Sequence, residues 1–235
     1  MLIFVLINVL VIKFNGQNVP APEIPRGPQE FGEGKSLVYV VMGDSTAVSQ
    51  GSDYDEGYAL ISAQHLAKNN KVIFVNTAVS GARSKDVADK QLPEALTYKP
   101  DLVLIAVGAN DANHFTSDGV VEASIQKTVD QLKSVNKDVR IVVTGSAALD
   151  TVDRYTAPAK WLALQRVKQV NEVFDRLIQK NNLTHAPIAD KTRATFKADP
   201  TLFAKDKFHP NDRGYAVWVP VINQALDQAL SKNGQ

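Results

Sequence analysis

The stretch Val38-Tyr39-Val40-Val41-Met42-Gly43-Asp44-Ser45 decides the fold. An apolar run rich in β-branched residues predicts a buried strand, and it stops at Gly43. Ser45 stands two residues past that end, at the rim of a sheet. In open α/β folds the rim at the carboxyl ends of the strands is where ligands bind. Ser45 is therefore a candidate nucleophile. Gly, Asp and Ser are also ordinary turn residues, so the assignment depends on what other segments bring to the same edge.

Strands and helices alternate downstream. A helix is predicted over 56–69, with Tyr58, Ile61 and His65 at helical spacing, and Val72-Ile73-Phe74-Val75 reads as a second strand. A loop of small residues, 76–84, contains Gly81, and Ser84 can open a short helix to about Leu92. Leu102 to Val107 is the most apolar stretch and predicts a central parallel strand, ending at Gly108-Ala109-Asn110-Asp111. Ser117 opens a long helix with Val121, Ile125, Val129 and Leu132 on one face. Val139 to Thr144 is a fourth strand. Thr156-Ala157-Pro158 starts a helix whose predicted buried face holds Trp161, Leu164, Val167, Val170, Phe174, Leu177 and Ile178. Thr184 to Asp190 is expected as a short fifth strand, followed by an irregular segment to Phe208. A last helix is expected over 211–231, kinked or restarted at Pro220. This alternation predicts an α/β fold with a parallel sheet of about five strands covered on both faces. Right-handed crossovers put the loops after the first three strands, with Ser45, Gly81 and Asn110, on one rim.

The amino-terminal part reads differently. Residues 1–12 are almost purely apolar. As a helix they would span about 18 Å, short of the ~30 Å hydrocarbon core. The expectation is a signal peptide or a short membrane anchor over 1–14, and so an exported, extracellular domain. Residues 15–36 hold four prolines and four glycines and are expected to be a linker, with the folded domain over 37–235. The chain has no cysteine, which excludes disulfides and thiolate chemistry. Its net charge of +1 gives no reason to expect nucleic acid as a partner.

A serine hydroxyl needs a base, and the base needs a group that fixes its tautomer. Of the four histidines, His65 falls mid-helix and His185 opens a strand; His114 follows the Asn110 loop. His209 lies in Asp206-Lys207-Phe208-His209, three residues after a carboxylate in a loop, where Asp206 can hold one ring nitrogen while the other faces outward. The backbone N–H of Ser45, the N–H of Gly81 and the side-chain amide of Asn110 are suitable donors for a developing oxyanion. Asp44 is expected to hold the nucleophile loop, and Arg83 and His114 are candidates for substrate contact.

Gly43-Asp44-Ser45, the Gly81 loop, Gly108-Ala109-Asn110-Asp111 and Asp206-Lys207-Phe208-His209 resemble the four blocks of the SGNH (GDSL-type) hydrolases, in the family's order. The resemblance implies a flavodoxin-like three-layer α/β/α sandwich and a serine esterase. It makes Ser45 the nucleophile, His209 the base and Asp206 its orienting acid, with an oxyanion hole from Ser45, Gly81 and Asn110. No metal or other cofactor is implied. The partner is an ester, either a small molecule or a polysaccharide. Thr46 stands where the best-known form of the motif has Leu. Three other readings compete: an acyltransferase with the same triad, a metal-dependent phosphoesterase, and a non-catalytic cell-wall or carbohydrate-binding module.

Overall fold

The computed structural model describes residues 17–231, so the expected signal or anchor over 1–14 lies outside the described residues. Six strands form one sheet: β1 (Gln29–Phe31), β2 (Ser36–Gly43), β3 (Lys71–Asn76), β4 (Leu102–Ala106), β5 (Arg140–Val143) and β6 (Thr184–His185). Their spatial order is β1-β3-β2-β4-β5-β6. All neighbours pair in parallel except β1, which runs antiparallel to β3 with Gln29 opposite Phe74 and Phe31 opposite Val72.

Period-two alternation sends successive side chains of β2 to opposite faces. Tyr39 and Val41 enter one apolar core, with α1 (Tyr58–Leu66), α6 (Ile188–Ala198) and α7 (Asp212–Ser231). Val40 and Met42 enter the other, with α2 (residues 84–97), α4 (Asp118–Val135) and α5 (Ala157–Asn181). A short helix, α3 (Ala109–Asn113), follows β4 directly. The result is a three-layer sandwich, as the alternation of strands and helices requires. Within α2 the residues Val87–Gln91 form a π turn.

Several expectations need correction. The sheet has six strands rather than about five, because Gln29–Phe31 adds an edge strand from inside the presumed linker. Ile24, further upstream, also packs on the core, so the folded body begins before residue 37. The fifth strand is only Thr184–His185, and the segment expected to be irregular contains α6, which buries Ile188, Thr192 and Phe196 along one side. Helix α7 runs through Pro220 without a break. Both Pro220 and Ala216, whose carbonyl loses its partner, are exposed, so water can take the place of the missing N–H. Finally, Trp161 is 63% exposed and is not part of the buried face of α5. The buried stripe predicted for α4 is found as expected, with Val121, Ile125, Val129 and Leu132 fully buried.

The central strand β4 is buried along its whole length, so its side chains cannot be truncated without leaving a void. Ile105→Ala is expected to lower the unfolding free energy by about 2–5 kcal/mol. Urea denaturation of the variant beside the wild type measures it, and a loss below ~1 kcal/mol would mean that β4 is not the tightly packed centre of the sheet.

Candidate active site

The turn after β2 is fixed by atoms from three other elements. A Cβ on Gly43 would stand 2.4 Å from the Ala106 carbonyl oxygen, so only glycine lets β2 and β4 end side by side there. The Gly43 N–H donates to Gln91 Oε1 and the Gly43 carbonyl accepts from Gln91 Nε2, both at 2.8 Å, a two-point clasp from the buried side chain of α2. The Asp44 N–H donates to the Ala106 carbonyl at 3.1 Å. Its carboxylate oxygen Oδ1 accepts from the N–H and the hydroxyl of Thr46, each at 2.9 Å, which curls the chain around Ser45. The Thr46 hydroxyl also meets Tyr58 Oη at 3.0 Å, so the departure from Leu at this position supplies a donor to Asp44. Burial pushes the Asp44 carboxyl up to about 6, against the opposing pull of the Thr46 donors and the His209 charge.

His209 arrives from the segment between α6 and α7. That loop is closed by an antiparallel bridge of Phe203 with Pro210 and by the Ala204 N–H donating to the His209 carbonyl at 2.8 Å. Lys207 takes a positive φ of 57° at the tip. Asp206 Oδ1 accepts the N–H groups of Phe208 (2.9 Å) and His209 (3.0 Å), and Oδ2 accepts from His209 Nδ1 at 2.5 Å. Burial opposes ionisation of Asp206. The hydrogen bond and charge of the His209 ring, with the two backbone donors, outweigh it and hold the carboxyl below its ordinary value. An ionised carboxylate only accepts, so the ring proton belongs on Nδ1. Nε2 is then left to accept from the Ser45 hydroxyl, 2.9 Å away. The edge of the Phe208 ring contacts the imidazole, with centroids 5.0 Å apart. Such a hydroxyl–imidazole–carboxylate chain can take a proton off the hydroxyl and hold the resulting imidazolium.

Among the described residues, the backbone N–H groups of Ser45 and Gly81 donate to no protein acceptor. Gly81 has φ of 80°, a backbone shape that favours glycine, and it is exposed. Asn110 Nδ2 donates one hydrogen to the Ala82 carbonyl at 3.0 Å and keeps a second. Beside it, fully buried Asp111 accepts from the N–H and hydroxyl of Ser84 at 2.9 and 2.7 Å. Burial pushes the Asp111 carboxyl up, against those donors. Asn110 and Asp111 thus tie the downstream side of the Gly81 loop to the end of β4.

An apolar pocket opens beside Ser45 and His209. Ala147, Ala148, Leu149 and Val152 form one wall, Phe196, Phe203 and Trp218 another, and Asn110 lies at the rim. Its interior space is about 30 Å³, room for one or two water-sized groups. Arg83 and His114 do not line it. Arg83 faces Asp86 at 3.8 Å, and His114 is exposed at the end of α3. Among the described residues, no three His, Asp or Glu side chains converge as a group that could hold a metal ion.

Reading the sequence brought out Ser45, Asp206, His209 and Asn110, and the fold brings these four together. It missed Gln91 altogether and gave Thr46 and Asp111 no part in positioning the site. Asp111 carried a signal, since it adjoins Asn110 in the same turn. Gln91 carried none, being a polar residue on a helix far along the chain from Gly43.

Comparison with known proteins finds relatives in sequence and in fold. A GDSL-like esterase of Mycobacterium tuberculosis is 27% identical over 199 residues. The match takes in 82% of this chain and 62% of that protein, so the chain spans about three fifths of the relative's length. Among solved structures, TesA superposes with a TM-score of 0.68 at 16% identity, covering 82% of this chain and 99% of TesA. The acetylxylan esterase Axe2 of Geobacillus stearothermophilus superposes with a TM-score of 0.65 at 17% identity, covering 83% of this chain and 95% of Axe2. These likenesses concern the fold. Residues 41–217 match the GDSL-like lipase/acylhydrolase family, and the chain belongs to it.

Proposed function

We propose that the protein hydrolyses carboxylic esters of short acyl chains through an acyl-enzyme on Ser45. The observation that carries this reading is the contact of one imidazole with both partners, Ser45 Oγ on Nε2 and Asp206 on Nδ1. His209 Nε2 takes the hydroxyl proton as Ser45 Oγ bonds to the ester carbonyl carbon. Asp206 stabilises the imidazolium. The carbonyl oxygen, now negative, is met by the N–H groups of Ser45 and Gly81 and the free amide hydrogen of Asn110. Collapse expels the alcohol, which leaves with the proton from Nε2. A water molecule then repeats the sequence against the acyl-serine and restores the hydroxyl.

The short acyl chain is supported by the small interior space, about 30 Å³, of the apolar pocket beside Ser45. The acetyl groups removed by Axe2, an acetylxylan esterase of the same fold, are of that size. Asp44 is a positioning residue that shapes the nucleophile turn rather than a proton carrier.

Three groups of outcomes, on the triad, on the acyl pocket and on the pH response of Asp44, test this reading of the site. A fluorophosphonate is expected to label Ser45, and neither the label nor ester hydrolysis should survive in Ser45→Ala. Asp206→Asn should retain the fold and lower kcat by about 10³–10⁴. A wild-type protein that hydrolyses esters without labelling would remove Ser45 from the mechanism. In a series of p-nitrophenyl esters, kcat/KM should be greatest for acetate to butyrate and fall steeply by octanoate, whereas a flat profile would mean that the pocket does not hold the acyl group. The third concerns pH. The folded Asp44 carboxyl binds its proton more tightly than the unfolded chain does, so its contribution to stability is lost as pH rises from the ordinary carboxylate range through about 6. Unfolding titrations should therefore show Asp44→Asn gaining on the wild type between pH 4 and pH 6.5. A difference that does not change with pH would mean that burial does not raise the Asp44 carboxyl.

A further inference from the structure

Gln50 lies five residues beyond Ser45, and all four of its polar groups are engaged. Its N–H donates to the Ser45 carbonyl at 2.9 Å. Its own carbonyl accepts from Tyr215 Oη at 2.7 Å. Its side-chain Oε1 accepts from the Ser80 hydroxyl at 2.6 Å, and Nε2 donates to the Val19 carbonyl at 2.7 Å. One residue therefore joins the nucleophile turn, the loop that presents Gly81, and the amino-terminal arm that precedes β1.

The Gly81 loop needs such a tie. A Cβ built on Gly81 finds nothing within 4 Å, and Val79 is 53% exposed, so the peptide is held by hydrogen bonds rather than by side-chain packing, among them the Ala82 N–H donating to the Val79 carbonyl at 3.1 Å. Downstream, Asn110 and Asp111 hold Ala82 and Ser84. Upstream, the Val79 N–H reaches the Gly43 carbonyl at 3.1 Å, and the Ser80 side chain is held by Gln50. The donor between these ties must meet an oxyanion to within a few tenths of an ångström for full effect.

Building on the assignment of Ser45 as nucleophile and Gly81 as oxyanion donor, we propose that Gln50 is a positioning residue, its Ser80 bond setting the Gly81 N–H against Ser45, and that the amino-terminal arm takes part by holding the Gln50 amide through the Val19 carbonyl. The arm is then a working part of the site rather than a passive lead-in. The course of β1 supports this. Because β1 is antiparallel to β3 and starts opposite Phe74, the residues before Gln29 extend toward the carboxyl ends of the parallel strands, the edge where Ser45 stands.

The test is steady-state kinetics on the full chain with p-nitrophenyl acetate. Gln50→Ala and Ser80→Ala should each lower kcat about tenfold with KM little changed, because the lost geometry matters in the transition state. The double variant should be no slower than either single variant, since both remove one link, and Ser80→Thr, which keeps the hydroxyl, should recover most of the rate. Gln50→Glu keeps an acceptor for Ser80 but has no donor for Val19, so it isolates the arm, and its kcat should also fall. Thermal melts and circular dichroism accompany each variant. Lower melting temperatures with unchanged kcat, or losses that multiply in the double variant, would overturn the positioning role. Wild-type kcat in Gln50→Glu would overturn the part played by the arm. Failure of the wild type both to hydrolyse the ester and to take a fluorophosphonate would instead remove the assignment of Ser45 beneath the proposal.

Discussion

An ionised carboxylate taken out of water costs several kcal/mol unless other donors replace the lost solvent. Asp206 is buried and meets that demand with three N–H groups: two from the backbone just after it and one from the imidazole of His209. The two backbone bonds force a tight turn, with Lys207 in the left-handed region at its tip. The third bond fixes the ring's plane and its proton. Once the turn and the ring are set, only one nitrogen remains to face Ser45. The loop from Phe203 to Pro210, the edge contact of Phe208 and the start of α7 all follow from satisfying this one charge.

The other half of the site depends on close approach rather than charge. Gly43 lets the ends of β2 and β4 lie side by side, and Gln91 seals that contact by bonding both polar groups of the same glycine. The peptide is thereby relieved of its unpaired groups at the point where two strands stop pairing. Asp44 and Thr46 then curl the chain so that the Ser45 hydroxyl leaves the rim facing His209. The aromatic residues Tyr58, Tyr215 and Trp218 pack as a cluster beneath this turn, joining α1 to α7, with Phe196 of α6 against Trp218. The same helices that close one face of the sheet therefore also brace the nucleophile from below and wall the pocket.

Much of this was legible along the chain because it is written locally. The strand at 36–43 and the stripe of α4 follow from side-chain period alone, and Asp206 to His209 is a contiguous turn. What was not legible arises between distant segments. Nothing near Gln91 points to Gly43, and nothing near Gln50 points to Ser80 or Val19. Edge strand β1 is three residues among prolines and glycines, and its pairing comes from β3 rather than from its own composition. Helix α6 was hidden by its polar residues, although Ile188, Thr192 and Phe196 recur at one helical turn each. Trp161 shows the opposite error: a large apolar side chain at the right spacing is still exposed when it stands ahead of the stretch of α5 that meets the sheet.

The two ends of the described chain leave the body at opposite edges. Val19 is bonded to Gln50 beside the mouth of the pocket, whereas the last turn of α7 brings Ala229 next to Lys137, Val139 and Asn182, at the far edge where β5 begins. A solid support grafted beside Ala229 would therefore leave the mouth facing open solution. The same support grafted beside Val19 would bring the mouth against its surface, so that bulky esters would be screened out by the attachment and not by the pocket.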